Sequence, residues 1–249
     1  MVIDSHTHVE GLPGCPWQDP PELMVRLMDE AGIDRAVVMT YVDAPWTGGD
    51  YDPLTYVEDA CRRHPDRLWG YARLDPGAGR VAVELLRSAV RDRGFMGLKL
   101  HPYGYRALPD SPATLALIRE AAALRVPVLF HCGDEECTLP LQCARAAAAV
   151  PEATVILGHM GGYFHVDEAI AVARQLPNIV LETSAMPYPA KIREAVEAVG
   201  AQRVLFASDG PGCDPLVELR KVGRARLGKK AERLVLGENF LRILGRRSR

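Results

Sequence analysis

Short apolar runs alternate with amphipathic stretches along the whole chain, separated by polar loops. The apolar runs are rich in β-branched residues and roughly evenly spaced, which predicts strands. They fall at Val2–His8, Arg35–Tyr41, Leu68–Leu74, Phe95–His101, Val126–Cys132, Thr154–His159, Ile179–Ser184 and Val204–Ser208. Between them, helical period is found over Pro21–Ala31, Leu54–His64, Arg80–Arg93, Pro112–Leu124, Leu139–Val150, Val166–Leu176, Pro189–Val199 and Pro215–Arg226. Several of these helices open on proline, and glycine follows Ala31 and Arg93, as helix starts and stops require. A last helix over Lys230–Leu244 follows a Gly-Lys-Lys turn. Strands alternating with helices in this way predict parallel β/α units with right-handed crossovers. A closed ring and an open doubly wound sheet both satisfy that alternation. The count of eight, and the lack of a G-x-G-x-x-G turn after the first strand, favour one (β/α)8 TIM barrel over residues 1–249 with a C-terminal helix. No linker, low-complexity segment or second domain interrupts the pattern.

Composition narrows the function classes. The chain has 249 residues, 48% of them hydrophobic and 25% charged, the balance of a globular protein with a large core. Its formal net charge is -2 with both signs interspersed, which gives no electrostatic reason to expect nucleic acid or a membrane surface as partner. The terminal Arg246-Arg247-Ser248-Arg249 is too short for a binding footprint and reads as a solvated tail. No apolar run of about 18 residues predicts a membrane span. The N-terminal Met-Val-Ile-Asp-Ser-His has no secretory signature, and the six cysteines contain no CxxC pair. A reducing, cytoplasmic setting without disulfides or a cysteine zinc site is expected. A small molecule is the expected partner, and a homodimer would be unsurprising.

Catalytic groups of a β/α barrel sit at the carboxyl ends of its strands. Five of the seven histidines fall within about a residue of such an end: His6 and His8, His101, His131 and His159. His165 follows close behind, and only His64 lies on a helix. His6 and His8 are two apart, so both rings point to one face and can reach one ion. Alone, an H-x-H pair equally suits one packed and one loop-capping histidine. His131 and Asp209, each at another strand end, complete three nitrogen donors and a carboxylate with room for water, the makeup of an open catalytic zinc-type site. The competing reading of Asp209 is a helix N-cap, but Asp214-Pro215 is the better cap. His159, between glycines in Gly158-His159-Met160-Gly161-Gly162, is expected to line the site or to support a ligand.

The elements His6-Thr7-His8, Gly97-Leu98-Lys99-Leu100-His101-Pro102, Phe130-His131-Cys132-Gly133, Gly158-His159-Met160-Gly161-Gly162 and Leu205-Phe206-Ala207-Ser208-Asp209 resemble the amidohydrolase superfamily. The likeness is closest to the amidohydrolase-related branch, which holds aminocarboxymuconate-semialdehyde decarboxylase-like enzymes and lactonases. It extends to Gly237-Glu238-Asn239-Phe240-Leu241-Arg242-Ile243-Leu244. The resemblance implies a distorted barrel of the metallo-dependent hydrolase type, with one divalent metal on His6, His8, His131 and Asp209 and with His159 beside it. Zinc is the default for this donor mix, and manganese, iron or cobalt can occupy it.

The chain is short, so the long loops of larger relatives are missing. Lys99 is the second departure. In binuclear relatives a strand-four lysine is carbamylated and bridges two metals, whereas the resembling branch carries K-x-H-P with one. An inward lysine needs a partner or a task. Lys99 can also bind a substrate carboxylate or form a Schiff base. Arg73 adds a second cation, and with Lys99 it suggests an anionic substrate; a structural ion pair is the competing reading. His101 and Tyr103 are expected to touch substrate, and Tyr41, Trp46 and Tyr105 can wall the pocket or pack loops.

The expected reaction is metal-assisted hydrolysis of an ester, lactone or amide. Asp209 acts as general base and then acid, while His159 and Lys99 stabilise charge on the carbonyl oxygen. The alternatives are metal-dependent non-oxidative decarboxylation of an aromatic or unsaturated acid, a metal-free Lys99 Schiff-base enzyme, and a non-catalytic barrel that retains the ligands.

Overall fold

The computed structural model describes residues 1–245, so the basic tail lies outside the described residues. All eight strands form: β1 (Ile3–His8), β2 (Arg35–Met39), β3 (Leu68–Arg73), β4 (Gly97–Leu100), β5 (Val128–Phe130), β6 (Val155–Leu157), β7 (Ile179–Glu182) and β8 (Val204–Leu205). They pair in parallel in the order of the sequence. The ring is completed between its ends, where Ser5 N donates to Phe206 O (3.2 Å), Asp209 N to His6 O (2.8 Å) and His8 N to Gly210 O (2.7 Å). The fold is the expected TIM barrel.

Every strand but β1 stops before its apolar pattern does. The Val204–Ser208 pattern gives ladder pairing only to Leu205. Beyond it, two successive amides turn to side chains: Ser208 N donates to Asp4 Oδ1 (2.9 Å) and Ala207 N to Thr183 Oγ1 (3.4 Å).

Helices form where predicted, many with proline in the first turn, where its fixed φ and missing N–H do no harm. Asp52, Ser111 and Asp214 cap theirs through side-chain oxygens, so Asp214 takes the capping role and Asp209 does not. The final segment is not one regular helix. It runs as Lys229–Arg233, a π-helical turn Leu234–Glu238, and Asn239–Gly245. A one-turn helix Pro102–Tyr105, unpredicted, follows β4. No described helix is long and apolar enough to cross a membrane, and all six cysteines are free thiols.

The two-residue period sorts each strand between two cores. Outward residues such as Leu98, Leu100, Val128 and Phe130 pack under the helices. Inward residues Val37, Tyr71, Leu129, Ile156 and Val180 fill the barrel, which Phe240 and Ile243 of the last helix plug from below. Gly97 leaves the space the Tyr71 ring occupies, since a Cβ there would lie 2.4 Å from it. Above this apolar fill, the inward positions change character to His6, Arg73, Lys99 and Glu182. All four are buried.

Candidate active site

His6 is fully buried and its two ring nitrogens have different tasks. Nδ1 lies 2.9 Å from Glu182 Oε1. An ionised carboxylate only accepts, so Nδ1 carries the proton and Nε2 turns a lone pair toward the barrel axis. That Nε2 lies 3.4 Å from Asp209 Oδ1 and 2.7 Å from Lys99 Nζ. His8 Nε2 lies 3.2 Å from the same Asp209 oxygen, and its ring stacks on Tyr41 at 4.3 Å. The backbone of Asp209 is left-handed at φ 61° and that of His159 at φ 59°, conformations rare for residues other than glycine. Strain of this kind concentrates at functional sites.

His159 sits in the turn after β6. Its N–H donates to Glu182 Oε1 (2.9 Å), its Nδ1 meets Ser184 Oγ (2.8 Å), and its Nε2 meets His131 Nδ1 (3.1 Å). Gly158 makes this approach possible, because a Cβ there would lie 2.6 Å from Phe130 O. His131 Nε2 is in turn 3.0 Å from Glu135 Oε2. His131, His159, Glu135, Tyr163, Ala185 and Asp209 line one cavity of about 150 Å³ at the carboxyl end of the barrel. Across the His131 ring lies His101, edge-on at 4.5 Å, and Arg73 Nη2 meets His101 Nδ1 at 2.9 Å. Tyr103 stands on the rim, half exposed.

The structure therefore brings the predicted residues to one end of the barrel in three connected groups. His6, His8 and Asp209 offer donor atoms within 4.8 Å of one another. His131 is not in that group and is bonded to His159 and Glu135. Arg73, His101 and Tyr103 form the third group, beyond the His131 ring, and Tyr103 lines a separate cavity with Arg106, Glu136 and Cys137. Sequence reasoning missed Glu182, Asp43, Glu135 and Asp4. Glu182 alone left a usable signal: it continues the inward register of Val180 at the end of an apolar strand.

Burial and neighbouring charge set the protonation states. Burial acts to raise the Asp209 carboxyl, but the surrounding His6, His159 and His8 rings override it and hold Asp209 well below the usual carboxylate range. Burial, and then Arg73, bring Lys99 down to about 7. Burial pushes His159 down to about 4, and His6, His8 and His101 downward too. Burial thus favours the neutral form of each ring, the form that can offer a lone pair to an ion. The hydrogen bond from His131 brings Glu135 down to about 2, and burial lifts Asp4 to about 8.

Two imidazole nitrogens and a carboxylate oxygen fit a divalent ion by chemistry and by spacing. Ligands about 2.0–2.1 Å from a tetrahedral ion stand about 3.3 Å apart, and the two distances from Asp209 Oδ1 are 3.4 and 3.2 Å. The second cluster, His6, His159 and Glu182, is spent on its own hydrogen bonds.

A parallel β/α barrel with convergent imidazoles and a carboxylate at its carboxyl mouth is the framework of a metal-dependent enzyme. The amidohydrolase family profile matches residues 3–246, and the chain belongs to that family. An uncharacterised TIM-barrel protein from Bordetella bronchiseptica is 19% identical with a TM-score of 0.81, covering 100% of this chain and 99% of its own. The 2,6-dihydroxybenzoate decarboxylase from Rhizobium is 18% identical with a TM-score of 0.72, covering 98% of each chain. A dihydroxybenzoic acid decarboxylase from Polaromonas, with bound manganese and the inhibitor 2-nitroresorcinol, is 17% identical with a TM-score of 0.74, covering 98% and 96%. No curated protein sequence matches the chain.

Proposed function

We propose that this protein is a metal-dependent hydrolase that cleaves an ester, lactone or amide bond of a small substrate, using one divalent ion on His6, His8 and Asp209. His131 is the proposed fourth donor, and reaching the ion requires it to release Glu135 or His159. The observation that carries the reading is the convergence of His6 Nε2 and His8 Nε2 on Asp209 Oδ1 beside a cavity that Asp209 also lines. When bound, the ion supplies Lewis-acid chemistry and makes a water more acidic. Asp209, kept ionised by its histidine neighbours, takes the proton from the attacking water and returns it to the leaving group. Glu182 holds His6 in the tautomer whose lone pair faces inward. His159 and Lys99 support the negative charge that develops on the carbonyl oxygen.

The second reading is metal-dependent decarboxylation of an aromatic acid. It is favoured by the named activities of the Rhizobium and Polaromonas structures and by the manganese in the latter. Metal analysis of the purified protein tests the common core: one equivalent is expected in the parent and none in His6→Ala. Absence of metal from both, with activity insensitive to chelators, would refute it. Screening esters, lactones, amides and hydroxybenzoates separates the chemistries, since ester hydrolysis releases a proton whereas decarboxylation releases carbon dioxide. With either substrate, Asp209→Asn is expected to lower kcat by about 10²–10⁴-fold.

A further inference from the structure

Arg73 is almost fully buried behind His101, where a cation near the site invites the role of anion receptor. Three of its five N–H donors are committed within the protein. Nε donates to Asp43 Oδ1 at 2.8 Å, Nη1 to the Thr40 carbonyl at 3.4 Å, and Nη2 faces His101 Nδ1 at 2.9 Å. The Asp43 pair is itself largely buried, so the charge of Arg73 is matched within the protein.

The third contact has only one chemical sense. A guanidinium has five N–H donors and no acceptor, so Nη2 must donate and His101 Nδ1 must offer its lone pair. A neutral imidazole with Nδ1 accepting carries its proton on Nε2. That Nε2 has no protein partner among the described residues, and the ring stands edge-on to His131, which lines the cavity. The loop after β4 is shaped around this arrangement. A Cβ at Gly104 would lie 2.9 Å from His101 Nδ1, 3.4 Å from Asp43 Oδ2 and 3.7 Å from Arg73 Nη2. Gly104 leaves the space in which the three side chains meet.

We infer that Asp43, Arg73 and His101 form a tautomer-fixing chain in which Arg73 is a positioning residue and His101 presents a neutral Nε2–H to an acceptor oxygen of the substrate. Only the identity of that substrate rests on the function proposed above; the tautomer does not. The arrangement selects for a carbonyl, carboxylate or phenol oxygen opposite the metal ligands. It does not require the substrate to be an anion.

Nitrogen-15 NMR of histidine-labelled protein, recorded metal-free and zinc-loaded at neutral pH, reads the tautomer directly. The His101 signal is identified by its loss in His101→Gln. The expected result is a single form with the proton on Nε2 in both samples, converted to a mixture of tautomers in Arg73→Met. Gly104→Ala should give the same loss, and serves if Arg73→Met does not fold. A proton on Nδ1 in the parent, or an unchanged signal in both variants, overturns the inference whether or not the metal reading survives. Kinetics supply the second arm once a substrate is found. His101→Gln places an amide N–H near the lost Nε2 and should retain at least tenfold more kcat/KM than His101→Asn. Arg73→Met should lower kcat for neutral and anionic substrates alike. A rise in KM confined to anionic substrates, with kcat unchanged, would instead make Arg73 the anion receptor.

Discussion

Glu182 organises the histidine cluster from below. It accepts from His6 Nδ1 (2.9 Å), His159 N (2.9 Å), Ser184 N (2.7 Å) and Ser184 Oγ (3.0 Å), with no exposure to solvent. An amide in its place offers one acceptor fewer and can turn N–H groups toward donors. Glu182→Gln is therefore expected to weaken metal binding about 10–100-fold, measured by competition with a chelating dye. It should also lower stability by about 2–3 kcal/mol in urea, because buried donors lose a charged acceptor. The histidines were legible in the sequence because their placement at strand ends is itself a pattern. Asp43 and Glu135 were not, and Glu182 only by its inward register and not by its role, since a carboxylate in the sequence does not name its partner. The partners His6, Arg73 and His131 stand 176, 30 and 4 residues away. His131 shows the same limit from the other side: its strand was legible, but its present bonds to His159 and Glu135 depend on how two loops fold over it.

At the scale of elements, the two-residue and 3.6-residue periods gave every strand and every main helix, because each must bury one face. They failed where pairing gives way to side chains, as after Leu205, and where four residues turn around a packed triad, as at Pro102–Tyr105. The last helix was legible as apolar but not as interrupted, since Leu234–Glu238 keeps helical dihedral angles at its flanks while its bonding widens. Its Phe240 lies against the Trp69 and Tyr71 rings at the barrel base. Phe240→Ala removes that plug and leaves a cavity, an expected loss of about 3–5 kcal/mol in urea denaturation. Metal stoichiometry should not change, because the plug lies at the opposite end from His6 and Asp209. Gly32 ends the Pro21–Ala31 helix at φ 71° with nothing near a prospective Cβ. Gly32→Ala should therefore cost about 1 kcal/mol, by thermal denaturation, from backbone strain alone.

The whole molecule carries an excess of buried neutral histidines, and this sets its response to acid. In the metal-free protein His159 titrates at about 4, against 6.5 in the unfolded chain. As pH falls below 6.5 the unfolded chain takes up a proton that the folded one refuses. Stability is lost across that window at up to about 1.4 kcal/mol per pH unit for each such group. His6, His8 and His101 act in the same direction. Asp4 opposes them: with a folded value near 8 against 3.8, its contribution is present below 3.8 and disappears as pH rises through 8. The four histidines, joined by Lys99 at about 7, outweigh Asp4 and the raised Glu218 carboxyl, which predicts a lower urea midpoint at pH 5 than at pH 7, with a larger drop in Asp4→Asn. A midpoint that rises on acidification would contradict the assignment.

The bond from the Asp209 amide to the His6 carbonyl joins the first strand of the molecule to its last, and the neighbouring Ser5–Phe206 contact spans 201 residues. A chain made only as far as Val204 already holds His6, His8, His101, His131 and His159 but lacks Asp209. On the metal reading proposed above, the full donor set exists only once Asp209 has been made and the first and last strands have met, so affinity for the ion at that seat depends on closure of the ring.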